Sequence, residues 1–425
     1  MRYNISPSQL SGTTRIPSSK SHTLRAILCG ALANGTSRIE QYLHSPDTEA
    51  MIFATRQLGA EIKQNEKSLE ISGVAGKVRA PEKPIECGNS GQVLRFIGAV
   101  SGLIQGTTIL TGDASIRTLR PVTPLLEGLT HLGAKAFSLL GNGYAPITVQ
   151  GPFTKDIAYL DGKDSQPVSG LLIASAFAPH PIQIHVTDPG EEGWIELTLD
   201  WLKRLDVVYE RRGYTWYKVE GGATINSFNY SVPGDWSSAA FPIGAALITG
   251  SEVTIENLDI TDSQSDKVIL SILERMGAKF SYDSSYKKLH VLKSPSLQGL
   301  DVDLNQCIDA LPLLAVLGCY AKTQTKLYNG SIARKKESDR ITSIAQELSK
   351  MGARIEELPD GLIIQPQTLH GAHLTSHDDH RIALALSVAA LGATTKSSLD
   401  NVSCIAKSYP NFRQAFHNLG ALIDE

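Results

Sequence analysis

Asp379-His380-Arg381 runs without a break into Ile382-Ala383-Leu384-Ala385-Leu386-Ser387-Val388-Ala389-Ala390-Leu391. Three polar residues thus open a helix that is apolar on every side, and such a helix belongs inside a domain. The arrangement returns about six times, roughly every 70 residues. Lys20-Ser21, Asn89-Ser90-Gly91, Asp164-Ser165-Gln166, Asp235-Trp236-Ser237 and Asp309 stand ahead of further apolar runs, among them Ala239 to Ile248 and Ala310 to Tyr320. Ser and Asp cap helices well, but capping alone does not call for Lys20, Gln166, His380 and Arg381. A helix N-terminus carries free N–H groups and a positive dipole end, so a family of such starts points to phosphate or carboxylate chemistry.

A second landmark keeps phase with the first. Amphipathic segments end in Leu58-Gly59-Ala60, Leu132-Gly133-Ala134, Met276-Gly277-Ala278, Met351-Gly352-Ala353 and Leu419-Gly420-Ala421, and each is followed by a short strand-like stretch. Glycine just past the last apolar residue is the usual left-handed stop of a helix. The Leu205-Asp206 turn fits the remaining slot less well. The repeating unit therefore combines strands with one buried and one half-exposed helix. From Ser338 to Gly352, Ile341, Ile344, Ala345, Leu348 and Met351 recur at helical spacing, which leaves Gln346, Glu347 and Lys350 outside and Arg340 in the first turn.

At 425 residues the chain exceeds what one core usually supports, so two domains are expected. Its formal charge of −3 and the lack of a basic run flanked by aromatics exclude nucleic acid as a natural partner. The polar stretch Met1 to Lys20 has no signal-peptide core, and the apolar runs are too short to span a bilayer, so a cytoplasmic protein is expected. Cys29, Cys87, Cys307, Cys319 and Cys404 are odd in number and widely spaced, which suits reduced thiols. His377-Asp378-Asp379-His380 is dense in ligand types. Consecutive residues at a loop-to-helix junction point in different directions, however, and no second His/Cys cluster accompanies them, so no metal is expected. Arg334-Lys335-Lys336-Glu337-Ser338-Asp339-Arg340 mixes a carboxylate with several cations ahead of a helix, a mixture suited to proton transfer beside a bound anion.

Pro17-Ser18-Ser19-Lys20-Ser21 with Arg25, Gly88-Asn89-Ser90-Gly91 with Arg95, Arg120-Pro121, Ser165-Gln166, Gly234-Asp235, Asp309, Lys336 to Arg340, Asp379-His380-Arg381 and Lys407 follow one another in the order of the enolpyruvyl transferases. The chain resembles that family over nearly its whole length, and within it the members that take shikimate 3-phosphate. The resemblance implies an α/β protein of two similar domains. Each would hold three βαβαββ repeats about a pseudo-threefold axis, an inside-out α/β barrel, with the active site in the inter-domain cleft. Residues 1–15 plus 235–425 would form one domain and 16–234 the other. The implied reaction moves the enolpyruvyl group of phosphoenolpyruvate to the 5-hydroxyl of shikimate 3-phosphate and releases phosphate. It belongs to the shikimate pathway, leading to chorismate and the aromatic amino acids, and glyphosate is the expected inhibitor. No cofactor or metal is implied, and a cytoplasmic monomer is expected.

By the same resemblance Asp309 takes the proton of the attacking hydroxyl, while Glu337 and Lys20 serve the methylene carbon and the departing phosphate, the division between them being open. Lys20, Gly91, Arg120, Gln166, Arg340, Arg381 and Lys407 match phosphoenolpyruvate-binding positions, and Ser21, Arg25, Ser165, Gln166, Asp309 and Lys336 match shikimate 3-phosphate-binding positions. Paired arginine donors suit both anions. Asp164 stands where many members carry Ser and is expected to point away from the phosphate, Ile332 stands near an expected Asn, and an expected phosphate-binding Ser has no clear counterpart between Glu191 and Trp194. The sister enzyme acting on UDP-N-acetylglucosamine typically has a reactive Cys in the loop matching Thr111 to Arg120, where this chain has none. A catalytically silent anion-binding relative would have no need of Lys20, Asp309, Glu337 and Arg340 together.

Overall fold

The computed structural model describes residues 1–425, and the chain divides into two units, Met1–Ser18 with Pro233–Glu425, and Ser19–Val232. The helices of the Ser19–Val232 unit are α1 (Lys20–Leu32), α2 (Pro46–Gln57), α3 (Gly91–Ser101), α4 (Ala114–Thr118), α5 (Thr123–His131), α6 (Ser165–Ser175) and α7 (Glu192–Arg204). Those of the other unit are α8 (Trp236–Thr249), α9 (Val268–Arg275), α10 (Leu311–Tyr320), α11 (Arg340–Lys350), α12 (His380–Leu391) and α13 (Phe412–Asn418). The apolar runs behave as their composition dictates. Every residue of α3 and α12 is buried, as is all of α1 beyond Lys20. Each unit has its own core, one around Leu24, Phe96 and Leu171, the other around Phe241, Leu314 and Leu386.

Each unit contains three four-stranded sheets of one plan. Gly106–Thr111, Ile147–Gly151 and Lys135–Ser138 form an antiparallel ladder, and Ile85–Glu86 joins its edge in parallel. Along the chain this reads strand, helix, strand, helix, strand, strand. In every sheet the parallel edge strand is the one that leads into a polar helix start. At two of these places the chain changes unit between strand and helix, from Thr13–Arg15 into α1 and from Asn229–Ser231 into α8. The N-terminal strand Arg2–Ser6 lies between Ser397–Asp400 and Leu422–Asp424, antiparallel to both, so the first residues complete a sheet built mainly from the last ones. The two crossing segments also pair with each other, Ser18 bridging Gly234 and Asp235 N–H donating to the Pro17 carbonyl at 2.9 Å. The division therefore falls at Ser18/Ser19 and Val232/Pro233 rather than at residues 15/16 and 234/235.

The helix stops Gly59, Gly133, Gly277, Gly352 and Gly420 have φ between 89° and 113°. Asp206 takes the sixth stop with φ 56°, a left-handed conformation that Asp tolerates better than most residues, so the irregular turn does the work of the glycines. An added Cβ at Gly277 meets nothing within 4 Å. Gly277→Ala therefore isolates the backbone cost and is expected to lower unfolding free energy by about 1–2 kcal/mol in urea titration; an unchanged midpoint would contradict it.

One sequence expectation fails on α11. Gln346 and Lys350 are exposed, but Glu347 is buried. Its carboxylate accepts from Lys350 Nζ at 2.8 Å, His377 Nε2 at 2.9 Å and Thr375 N–H at 3.0 Å, which satisfies the buried charge. Burial opposes ionisation, yet these hydrogen bonds hold Glu347 below the usual carboxylate range.

Candidate active site

Five of the six polar starts do cap their helices. Ser19, Ser90, Asp164, Asp235 and Asp379 each accept a backbone N–H of the first turn of α1, α3, α6, α8 and α12. The sixth differs. Asp309 lies within a short 3-10 turn, Ile308–Ala310, ahead of α10, and Ala310 takes the cap position without a side-chain bond. The Asp309 carboxylate instead accepts from Arg340 Nη1 at 2.7 Å and Arg381 Nη2 at 3.2 Å.

In the unit that includes Pro233–Glu425, Arg340 holds three carboxylates together. Its Nε donates to Asp379 at 2.8 Å, Nη1 to Asp309 at 2.7 Å and Nη2 to Glu337 at 2.9 Å. Arg340 is 1% exposed. Desolvation lowers its pKa but the three anions more than reverse this, so the net shift is upward. Lys407 Nζ donates to Glu337 Oε1 at 2.6 Å, and Lys336 is half-buried next to Glu337 in the chain. Arg381 keeps donor capacity, because its buried Nε and Nη1 have no hydrogen-bond partner. The sequence reading did not single out Asp266. It is buried, Ser237 Oγ–H donates to its Oδ2, and its Oδ1 has no partner. Burial, and then the charge of Asp309, push Asp266 up to about 7.

Within that cluster Glu337, Asp379 and His380 place one ligand-type atom each within 4.8 Å of one another. Arg340 and Lys407 already supply positive charge to both carboxylates, so this donor set is balanced by side chains. His377 turns away to Glu347, and the dense His377–His380 run thus splits between two places.

The Ser19–Val232 unit brings together the other sequence-derived candidates at the starts of α1, α3 and α6. Lys20 Nζ lies 3.6 Å from Asp47 Oδ2, which also accepts from Ser90 Oγ at 3.0 Å. Arg120 donates to the carbonyl and side-chain oxygens of Asn89, at 3.2 Å in each case. A Cβ added at Gly91 would stand 2.8 Å from Arg95 Nη1, 2.9 Å from Arg120 Nη1 and 3.3 Å from Gln166 Oε1, so this glycine leaves room where two guanidinium groups and an amide converge. Asp164 is engaged by its own unit. It caps α6 by accepting from Gln166 N–H at 3.0 Å, and its second oxygen lies 3.0 Å from Arg95 Nε, which balances its charge.

Arg25 is fully enclosed, and its partners are neutral. Nε and Nη2 donate to Thr198 Oγ1 at 3.1 and 2.8 Å, Nη1 to the Ser21 carbonyl at 3.2 Å and Nη2 to the Trp194 carbonyl at 3.3 Å, with the Phe96 ring 5.1 Å from Cζ. Burial pushes its pKa down, to about 9, so the guanidinium is still charged at neutral pH while lacking a counter-ion. Ser165 N–H and Oγ–H both donate to Glu191 Oε2, at 3.0 Å each. Glu191 fills the segment where the sequence offered no phosphate-binding serine, and no sequence signal marks a buried carboxylate there.

The cysteines stand apart from these clusters. Four are buried, Cys404 is half-buried, and none is bonded to another. Burial raises the pKa of all five thiols. No helix is long and apolar enough to cross a membrane.

The family model for EPSP synthase (3-phosphoshikimate 1-carboxyvinyltransferase) matches residues 5–416. Among curated proteins, the 3-phosphoshikimate 1-carboxyvinyltransferase of Chlamydia pneumoniae is 42% identical over 428 residues, covering 100% of this chain and 95% of that protein. The enzyme of the same name from Acetivibrio thermocellus is 39% identical over 421 residues, covering 99% of each. A solved structure of EPSP synthase from Acinetobacter baumannii superposes with a TM-score of 0.82 at 27% identity, covering 100% of this chain and 99% of that one. These full-length likenesses mean that the chain belongs to the EPSP synthase family.

Proposed function

We infer that the protein is a 3-phosphoshikimate 1-carboxyvinyltransferase, transferring the enolpyruvyl group of phosphoenolpyruvate to the 5-hydroxyl of shikimate 3-phosphate. The observation that carries the reading beyond family membership is the Arg340 cluster. Two carboxylates suited to proton transfer, Asp309 and Glu337, share it with Arg381 and Lys407. In this mechanism the methylene carbon of phosphoenolpyruvate gains a proton, and the hydroxyl attacks the adjacent carbon as Asp309 takes its proton. The resulting adduct then loses phosphate and one methyl proton, which restores the double bond on the product. Glu337 and Lys20 serve the carbon proton and the departing phosphate. Arg120, Gln166 and Arg381, with Lys20, Arg340 and Lys407, hold phosphoenolpyruvate; Ser21, Arg25, Ser165 and Lys336 hold the acceptor. Each unit is built as three repeats about a pseudo-threefold axis, in a cytoplasmic enzyme that is a monomer and uses no cofactor.

Turnover in deuterated water tests the addition and elimination steps. Deuterium is expected in the product's methylene group, because the transient methyl group mixes solvent hydrogen with the original pair. A product free of deuterium would contradict this route.

Gly91 gives a second test. Glyphosate carries a phosphonate and a carboxylate, so the cations proposed for phosphoenolpyruvate also accept it, and inhibition relieved by phosphoenolpyruvate is expected. Gly91→Ala pushes a methyl group among Arg95, Arg120 and Gln166. Resistance should rise by roughly tenfold or more, the scale of one misplaced methyl in a fitted pocket, with a smaller rise in KM for phosphoenolpyruvate. Unchanged inhibition in the variant would remove Gly91 from this pocket.

A further inference from the structure

We propose that Glu191 is a built-in competitor for the acceptor's phosphate, so that shikimate 3-phosphate binds only by displacing the Glu191 carboxylate from Ser165. The inference rests on the reading above, which assigns Ser165 and Arg25 to the acceptor. Ser165 presents two donors at the start of the eleven-residue helix α6, and both converge on one oxygen of Glu191 at 3.0 Å. Such a pair at a helix N-terminus is suited to an anion, and here a side chain of the protein is the anion it holds. Glu191 is 2% exposed and adopts φ 49°, so a charged residue is kept in a sparsely populated conformation out of water.

The same corner holds the buried Arg25 guanidinium, whose hydrogen-bond partners are neutral. Arg25 donates to the carbonyl of Trp194, in the first turn of α7, which begins directly after Glu191. A serine at this place would add a neutral donor to a phosphate. A carboxylate offers only acceptors and brings a like charge, so it and a phosphate cannot share the Ser165 donors. The substrate's phosphate therefore trades places with Glu191, and part of its binding free energy offsets the loss of the bonds from Ser165. Phosphoenolpyruvate, assigned to other residues, escapes that cost. Glu191 thus sets acceptor affinity without entering the chemistry.

Steady-state kinetics of the full chain and of Glu191→Gln and Glu191→Ser test the proposal, varying each substrate in turn. Glu191→Gln keeps an oxygen for Ser165 and removes the charge. KM for shikimate 3-phosphate is expected to fall by roughly tenfold, the scale of a hydrogen bond to a charged group, while KM for phosphoenolpyruvate moves far less. Inorganic phosphate, competing with shikimate 3-phosphate, should become a stronger inhibitor by a similar factor. An unchanged or raised KM for shikimate 3-phosphate in Glu191→Gln would overturn the proposal. Should Glu191→Ser lose its circular dichroism, Glu191→Gln alone decides. If the unaltered chain turned over no shikimate 3-phosphate, the assigned function would fail instead. Phosphate binding to the unaltered chain and Glu191→Gln, followed by tryptophan fluorescence, would still decide the competition, with equal affinities overturning it.

Discussion

Asp309→Asn is expected to cut turnover by roughly 10²–10⁴-fold, the loss typical of a missing general acid or base, and Glu337→Gln to do the same. Both amides keep an oxygen that accepts from Arg340, so the fold should persist. Neither can take a proton as a carboxylate does. Asp309 is singled out by its local structure: it is the one polar start whose side chain does not cap its helix, and Arg340 and Arg381 hold it from two sides. Glu337 lies between Arg340 and Lys407, at 2.9 and 2.6 Å. Single-turnover kinetics, with circular dichroism as a control on folding, checks the pair. Near-normal turnover in both variants would remove these carboxylates from the mechanism.

Arg340→Met and Arg25→Met are expected to fail in opposite ways, although both remove a fully buried guanidinium. Arg340 is the shared partner of Asp309, Glu337 and Asp379. Its loss leaves three carboxylates with like charge and fewer donors, and stability should fall by about 3–5 kcal/mol, as when a buried pair is broken from one side. Arg25 has neutral partners only, and its lowered pKa reports desolvation that no anion offsets. Removing it relieves that cost. Urea unfolding should show Arg25→Met no less stable than the parent by more than the hydrogen bonds it gives up, while shikimate 3-phosphate binding drops by at least roughly a hundredfold, the scale of a lost charge-assisted contact. A stable Arg340→Met, or an Arg25→Met that binds the acceptor normally, would contradict these assignments.

The contrast explains what was legible in the sequence. The buried helices and their stops could be read because they are written locally, in runs such as Ile382 to Leu391 and in glycines such as Gly277. Asp206 and Glu347 were read less well. Asp206 adopts the glycine conformation without being glycine, and Glu347 is drawn inside by His377 and Thr375 from the segment before α12. The site follows the same division. The candidate residues could be named from polar starts and from family resemblance. Their pairing could not, because Arg340 gathers Asp309 and Asp379 from positions 31 and 39 residues away, beside its neighbour Glu337, and Glu191 meets Ser165 across 26 positions. Strand partners obeyed the same limit: nothing local announces that Arg2–Ser6 lies between Ser397–Asp400 and Leu422–Asp424.

The most direct test of the assigned reaction is phosphate release by the purified chain in two mixtures, phosphoenolpyruvate with shikimate 3-phosphate and phosphoenolpyruvate with UDP-N-acetylglucosamine. Release in the first mixture alone is expected, in step with formation of the enolpyruvyl ether. Release only with the nucleotide sugar, or in neither mixture, would contradict the account.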